Sequence, residues 1–137
     1  MYELGSDAWL KALCEAINNS QAYADAAKTW EGDFYFIVDA GGAVPKEIVM
    51  HVDLWHGKCR GAYQVTDRAQ ENPAFVINAA EGAWRLVIEK KLDPIQGLMT
   101  RQLKLKGDMI KVMKAVKAAK ELVECTTKVP TKFPSDQ

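Results

Sequence analysis

The side chains best suited to chemistry are sparse in this chain. It has two histidines, His51 and His56. His51 and Asp53 alternate along a predicted strand and share one face, whereas His56 has the opposite parity and lies at a predicted turn. A catalytic or structural metal site usually needs at least three protein ligands, and the spacing supplies no third one. The sequence therefore predicts solvent-facing histidines and no metal site.

The three cysteines, Cys14, Cys59 and Cys125, are far apart in the sequence. An odd number of isolated cysteines is typical of reduced thiols and not of a disulfide framework. None has an identifiable histidine partner, and free cysteine is commonly buried. An enzyme that acts on acyl thioesters through one of these thiols stays open as one alternative.

Motifs that bind phosphate or a dinucleotide, or that present a nucleophile, do not occur. We interpret Gly41-Gly42 as a hairpin turn and not as a phosphate-binding loop. The sequence therefore predicts a protein that is not an enzyme and needs no cofactor.

The composition is that of one globular domain over residues 1–137. Hydrophobic residues make up 48% and charged residues 26% of the chain, and 18 Lys and Arg balance 18 Asp and Glu. This balance gives no reason to expect nucleic acid as a partner. Neither a secretory signal nor an apolar run of membrane-spanning length is seen, so we expect a cytoplasmic protein.

Helix and strand patterns divide the first part of the chain. Residues 6–30 have apolar residues at helical spacing, a cap at Ser6 or Asp7, and a break favoured at Asn18–Ser20. The following strands are predicted in three segments, 34–40, 46–55 and 58–65, with one buried face on the second segment.

The second part of the chain alternates strands and helices. A strand over 74–79 precedes a helix over 81–92 and a helical turn near 95–100. A fifth strand over 103–106 leads through Gly107 into a last helix from Asp108 to Glu124. Residues from about 126 to 137 are predicted to be a tail.

The last helix is amphipathic. Its apolar side carries Met109, Met113 and Val116, and Lys114 and Lys117 lie on the opposite flank. Packing against a sheet would explain this pattern, but methionine also suits a wall that accepts variable apolar shapes. The lysine flank suggests transient contact with an anionic membrane surface.

Residues 91–109, KLDPIQGLMTRQLKLKGDM, resemble the signature region of the sterol carrier protein type two family. There, a Leu-Asn-Pro segment leads into a Lys-Leu-Lys-Ile-Lys-Gly-Asn-Met segment. Residues 92–94 match the first and residues 103–109 the second. Ile95 replaces a glutamine that is common in the family, and Leu98 and Met99 replace paired aromatics.

Three further stretches support this resemblance. FVINAAEGAWRLV, residues 75–87, resembles the strand and helix upstream of the family signature. Residues 9–36 and 52–63 are similar to the stand-alone prokaryotic members.

The resemblance implies an α+β fold with a five-stranded, mostly antiparallel sheet covered by helices. It also implies a hydrophobic tunnel that holds one lipid, such as a fatty acid, an acyl-coenzyme A ester or a sterol, without a cofactor. The residues expected to line it are Phe34, Phe36, Trp84, Ile88, Leu98, Met99, Leu103, Leu105, Met109, Met113 and Val116.

Two functions are therefore weighed for the same apolar surface. The first is binding and intracellular transfer of a small hydrophobic ligand. The second is a non-catalytic interaction module whose apolar groove accepts a helix or tail of a partner protein, or a second copy of this chain as a homodimer. A lipid that co-purifies with the protein would favour the first function.

Overall fold

The computed structural model describes residues 1–136, which form seven strands, six α-helices and two short 3₁₀ turns. The strands are β1 (Tyr2–Glu3), β2 (Glu31–Val38), β3 (Ile48–Trp55), β4 (Lys58–Val65), β5 (Phe75–Ala79), β6 (Lys104–Lys106) and β7 (Thr131–Lys132). The helices are α1 (Asp7–Asn18), α2 (Gln21–Ala26), α3 (Glu81–Ile88), α4 (Pro94–Met99), α5 (Met109–Lys114) and α6 (Val116–Thr127). None of the helices in this part of the chain is long and apolar enough to cross a bilayer.

The main sheet has five strands in the order β4-β3-β2-β5-β6. β2, β3 and β4 form an antiparallel meander, in which Phe34 lies opposite Val52. β5 runs parallel to β2, with Phe75 opposite Phe34, and β6 runs antiparallel to β5. The predicted α+β class and the five-stranded, mostly antiparallel sheet are confirmed.

Serine caps explain the two N-terminal helices. The hydroxyl of Ser6 accepts a hydrogen bond from the Trp9 N–H (3.2 Å), and the hydroxyl of Ser20 accepts one from the Tyr23 N–H (3.0 Å). Each bond satisfies a backbone donor that has no partner inside the first turn of a helix. The break predicted after Asn18 is therefore confirmed, with its own cap for the second helix.

Gly107 carries the chain from β6 into α5. Its φ of +136° is a conformation that side chains disfavour, and a Cβ there would lie 2.8 Å from Phe75 Cδ1. Asp108 then caps α5 by accepting a hydrogen bond from the Lys111 N–H (3.1 Å). The predicted turn and cap are both confirmed.

The predicted last helix is divided into two, which corrects the expectation of one helix over 108–124. α5 ends at Lys114, and α6 begins at Val116 after Ala115, which has φ −93° and ψ +40°. Alanine is the strongest helix former, so local propensity gives no signal for this break. α6 also extends beyond the predicted end, to Thr127.

Both faces of the sheet are partly covered, whereas one buried face was predicted for β3. Val49 and His51, which alternate with the core-facing residues, are only 4% and 7% exposed. The segment after β4 covers this second face: the Tyr35 hydroxyl donates to the Arg68 carbonyl (2.8 Å) and accepts from the Glu71 N–H (2.9 Å). Alternation in β3 cannot reveal this cover, because the covering segment lies elsewhere in the sequence.

The predicted C-terminal tail is instead packed onto the molecule. β7 pairs in parallel with β1, and the Trp9 indole N–H donates to the Thr131 hydroxyl (2.8 Å). Val129 and Phe133 are buried on either side of β7. The tail prediction is therefore wrong for residues 126–136, and Gln137 lies outside the described residues.

Candidate functional site

An apolar cavity of about 140 Å³ lies between the sheet and the helices. The sheet and the segments beside it contribute Trp30, Phe34, Phe36, Met50, Leu54, Ile77 and Leu103. The first four helices contribute Trp9, Leu13, Tyr23, Trp84, Val87, Ile88, Pro94, Ile95 and Leu98. The lining is completed by Leu4, by Val112 of α5, by Ala115 between the last two helices, and by Ala118, Ala119, Leu122, Val123 and Thr126 of α6.

Aromatic rings on β2 and its neighbours form a stacked layer at the sheet side of the cavity. The Phe34 ring lies 5.7 Å from the Trp30 ring and 4.9 Å from the Phe36 ring, measured between centroids. The Trp84 ring meets Phe36 edge-on at 5.8 Å. Such ring pairs add about 0.5–1.5 kcal/mol each beyond their buried area, so they stabilise this wall.

The side formed by α6 has smaller side chains. Ala118 and Ala119 line the cavity where a larger residue would occupy its space. Leu122 and Val123 follow one turn later on the same helix face. The cavity therefore exists partly because alanine stands at these positions.

Most polar atoms of the lining side chains already have partners. The Trp30 indole N–H donates to the Gly32 carbonyl (2.9 Å), and the Trp84 indole N–H donates to the Ile37 carbonyl (2.8 Å). The Thr126 hydroxyl donates to the carbonyl of Val123 (2.6 Å). No charged side chain within residues 1–136 lines the cavity. The arrangement is suited to burying an apolar molecule, because no charged group of the lining would have to lose its water.

Six of the residues predicted to line a tunnel lie in the lining: Phe34, Phe36, Trp84, Ile88, Leu98 and Leu103. Five others do not: Met99, Leu105, Met109, Met113 and Val116. Met99 is 65% exposed at the end of α4. Met109, at the start of α5, and Val116, at the start of α6, are also exposed.

Several lining residues were not singled out from the sequence. Trp9, Leu13 and Tyr23 come from the first two helices, whose apolar stripe was detected but not assigned to the site. Met50 and Leu54 belong to the face of β3 that was predicted to be buried. The regular spacing of apolar residues therefore marked these faces as buried. That spacing does not distinguish the wall of a cavity from a filled core.

An open groove of about 600 Å³ adjoins the cavity between α3, α4 and α6. Val87, Pro94 and Val123 line both the groove and the cavity. The groove also carries charged side chains of both signs: Lys90, Lys117, Lys120, Asp93, Glu121 and Glu124. The cavity and the groove therefore share part of their walls.

The model of the SCP-2 sterol transfer family matches residues 10–120, which include most of the elements described above. The chain belongs to the SCP-2 sterol transfer family. No match is found among curated proteins.

Solved structures in the SCP-2 family agree with this fold. A crystal structure of sterol carrier protein 2 is 38% identical, with a TM-score of 0.83 over 93% of this chain and 99% of that chain. A conserved hypothetical protein from Thermus thermophilus, described as possibly a sterol carrier protein, is 37% identical, with a TM-score of 0.84 over 98% and 94%. Sterol carrier protein 2 from Yarrowia lipolytica in its apo form shares the fold at 14% identity, with a TM-score of 0.59 over 85% and 88%.

The histidines of this SCP-2 family member lie apart from the cavity and from each other. His51 Nε2 is 2.7 Å from Asp33 Oδ2, and His56 Nε2 is 2.6 Å from Glu31 Oε2. Asp53 pairs with Arg60 instead (3.0 Å). The expectation that His51 is solvent-facing is wrong, because the second face of the sheet is covered.

The carboxyl group of Asp33 is perturbed by this pairing. Burial acts to raise its pKa, but hydrogen bonds from His51 and from the Ala74 N–H together lower the pKa below its ordinary value of 3.8. The Ala74 bond measures 2.9 Å. Asp33 therefore favours the ionised form and ties β2 to both β3 and the segment before β5.

The cysteines are also outside the cavity lining, and all three are free thiols. Burial raises the pKa of the Cys59 thiol and, to a smaller extent, that of Cys125. The Cys14 thiol donates to the Cys59 carbonyl (3.4 Å). Because the thiolate is the nucleophilic form, these surroundings do not favour covalent chemistry at Cys59 or Cys125.

Proposed function

We propose that this protein binds a lipid in its apolar cavity and transfers it without chemical change. Membership of the SCP-2 family supports lipid binding or transfer in general terms. The observation that carries the proposal for this chain is the cavity between sheet and helices, whose lining within residues 1–136 contains no charged side chain. Fatty acids, acyl-coenzyme A esters and sterol-like lipids are the proposed ligand classes.

Affinity would come mainly from removing the ligand's hydrocarbon surface from water. This transfer is worth about 25 cal/mol per Å², or about 0.8 kcal/mol per methylene, before ordering costs. One methylene would then change the dissociation constant by roughly fourfold. A wall of aromatic and aliphatic side chains therefore selects weakly between chain lengths, and we propose that the protein accepts several lipids.

The cavity must open to take a whole lipid. An apolar cavity of about 150 Å³ accommodates a molecule the size of benzene, and the cavity here measures about 140 Å³. Separation of α6 from α3 and α4 would join the cavity to the groove that shares Val87, Pro94 and Val123. We propose this groove as the route by which an alkyl chain enters.

We further propose that the face formed by α5 and the start of α6 touches anionic membranes during transfer. Ile110 is 68% exposed, and Met109 and Val116 are about two-fifths exposed. Residues 99–120 contain seven Lys or Arg and one Asp, a net charge of +6 in a chain whose net charge is 0. Exposed apolar side chains among lysines suit the boundary of an anionic bilayer.

The direct test is native mass spectrometry of freshly purified protein, followed by organic extraction and displacement of a fluorescent fatty acid. A co-purifying lipid and saturable displacement by unlabelled lipid are expected. Protein that carries no lipid and binds none of these ligands would contradict the proposal. The apolar surface of the cavity would then be better explained as a docking site for a partner helix or tail.

A further inference from the structure

Tyr23 is the polar exception in the cavity lining. It lies on α2, where its backbone N–H is fixed by the Ser20 cap, and its side chain contributes to the cavity wall. The residue is only 2% exposed. Its phenol hydroxyl makes no hydrogen bond to another group within residues 1–136, and its oxygen is not fully enclosed, since the one enclosed side-chain nitrogen or oxygen of these residues without a partner is His51 Nδ1.

The other polar side chains of the lining differ from Tyr23 in this respect. The indole N–H groups of Trp9, Trp30 and Trp84 and the hydroxyl of Thr126 each donate to a protein oxygen at 2.9 Å or less. The buried Tyr35, on the opposite face of the sheet, uses its hydroxyl for hydrogen bonds with Arg68 and Glu71. The Tyr23 hydroxyl therefore has hydrogen-bonding capacity that the fold does not use.

We propose that the Tyr23 hydroxyl binds an uncharged oxygen of the lipid, such as that of an alcohol, a ketone or an ester. This inference rests on the lipid-binding function proposed above and specifies the ligand class of the same cavity. An acceptor on the lipid would satisfy the phenol O–H, and a lipid hydroxyl could also donate to the phenol oxygen.

The surroundings of Tyr23 argue against a charged group at this position. Burial, with smaller contributions from the nearby Cys59 and Cys125, raises the pKa of the phenol, so it stays a neutral donor. No cationic side chain of residues 1–136 lines the cavity to balance a carboxylate. Burying an unpaired charge is far more costly than burying a neutral oxygen. A carboxylate or phosphate head would therefore stay in the groove, where Lys117 and Lys120 lie.

The discriminating experiment compares Tyr23→Phe with the unchanged protein in displacement of a fluorescent fatty acid. The competitors are a long-chain primary alcohol, the alkane of the same length and the corresponding fatty acid at neutral pH. Loss of one neutral hydrogen bond should weaken the affinity for the alcohol by about three- to tenfold. The affinities for the alkane and for the carboxylate should not change. Tyr35→Phe is the matched control, because it removes a buried hydroxyl outside the cavity, and it should alter none of the three affinities.

Thermal unfolding of the ligand-free proteins gives a second readout. Tyr23→Phe should leave the melting temperature unchanged or raise it, because the removed hydroxyl has no partner to lose. Tyr35→Phe should lower it. A clear fall for Tyr23→Phe would show that the fold itself uses the hydroxyl and would overturn the proposal.

The failure of this inference is distinguishable from failure of the proposed function. If Tyr23→Phe binds the alcohol as tightly as the unchanged protein does, the Tyr23 contact is refuted and lipid binding stands. If none of the competitors displaces the fluorescent fatty acid from the unchanged protein, the proposed function is refuted. The Tyr23 contact is then refuted with it.

Discussion

Ala119 shows how a single small side chain creates space for a ligand. It lines the cavity on the α6 side, whereas the sheet side carries bulky aromatic rings such as Phe34 and Phe36. A leucine at position 119 would project into the volume that a ligand would use. The position is also a tolerant one, because leucine is nearly as good a helix former as alanine.

We therefore expect Ala119→Leu to weaken binding of a fluorescent fatty acid by about tenfold or more, since overpacking costs about 1–3 kcal/mol. Fluorescence titration would measure the change, and circular dichroism would check the fold. Ala8→Leu, at an exposed position of α1, is the matched control and should bind as the unchanged protein does. Equal affinity for Ala119→Leu would mean that the ligand lies elsewhere.

Asp33 links stability to pH at the residue scale. Its pKa in the folded protein lies below the ordinary 3.8, so the carboxylate stabilises the fold above that pH. The contribution is lost as the pH falls through the lowered folded-state value. Asp33→Asn cannot ionise, so the stability difference between the two proteins should shrink as the pH falls below 3.8. Urea unfolding across this range would measure the difference, and a difference that does not change with pH would contradict the assignment.

At the scale of elements, α5 is a short helix that is anchored on one side and exposed on the other. Val112 is buried in the cavity wall, and the Lys111 ammonium lies over the Trp30 ring at 4.9 Å. That ammonium also donates to the carbonyl of Glu31. The Lys111 side chain is therefore held by contacts within the protein. Ile110 and Lys114 lie on the exposed side of the helix.

If this exposed side meets membranes, Ile110→Asp should weaken binding to anionic vesicles by roughly tenfold, because a fully buried isoleucine is worth about 1.5–3 kcal/mol. Co-sedimentation with phosphatidylcholine vesicles, with and without phosphatidylserine, would measure it. Leu86→Asp is the control, since Leu86 is similarly apolar and 39% exposed but lies on α3. Equal losses in the two variants would contradict a docking role specific to α5.

For the whole molecule, the pairing of the two chain ends closes the fold. β1 and β7 form a parallel pair, and the Leu4 N–H donates to the Lys132 carbonyl (3.0 Å). Phe133 is 5% exposed, and the guanidinium of Arg85 lies over its ring at 4.7 Å. Leu4 also lines the cavity, so the joined ends support the site as well as the core.

We expect Phe133→Ala to lower the free energy of unfolding by about 3–5 kcal/mol, the usual cost of removing a buried phenylalanine side chain. Urea denaturation followed by tryptophan fluorescence would measure it. Tyr2→Ala is a matched control, because Tyr2 belongs to the same small sheet but is 40% exposed, and a change within about 0.5 kcal/mol is expected. A cost for Phe133→Ala no larger than the control's would mean that the C-terminal segment is a loose tail after all.

The amino-acid sequence determined those features that depend on near neighbours. The aromatic and β-branched residues of β2 and the alternation along β3 predicted these strands, and Ser6, Gly107 and Asp108 predicted where helices and turns begin. These features can be predicted because side-chain alternation and helix capping depend on residues only a few positions apart. Together with a resemblance over nearly the whole chain, they were enough to predict the α+β fold and six of the residues that line the cavity.

Only the tertiary structure decided features that depend on contacts between distant segments. Trp9 and Thr131, which are 122 positions apart, meet in a hydrogen bond that holds the predicted tail in place. The break at Ala115 and the burial of His51 likewise have no local signal. An apolar stripe records that a face is covered, but it does not record what covers it. That is why Met99 and Met109 were expected in the cavity wall and lie exposed, while Tyr23 lines the cavity.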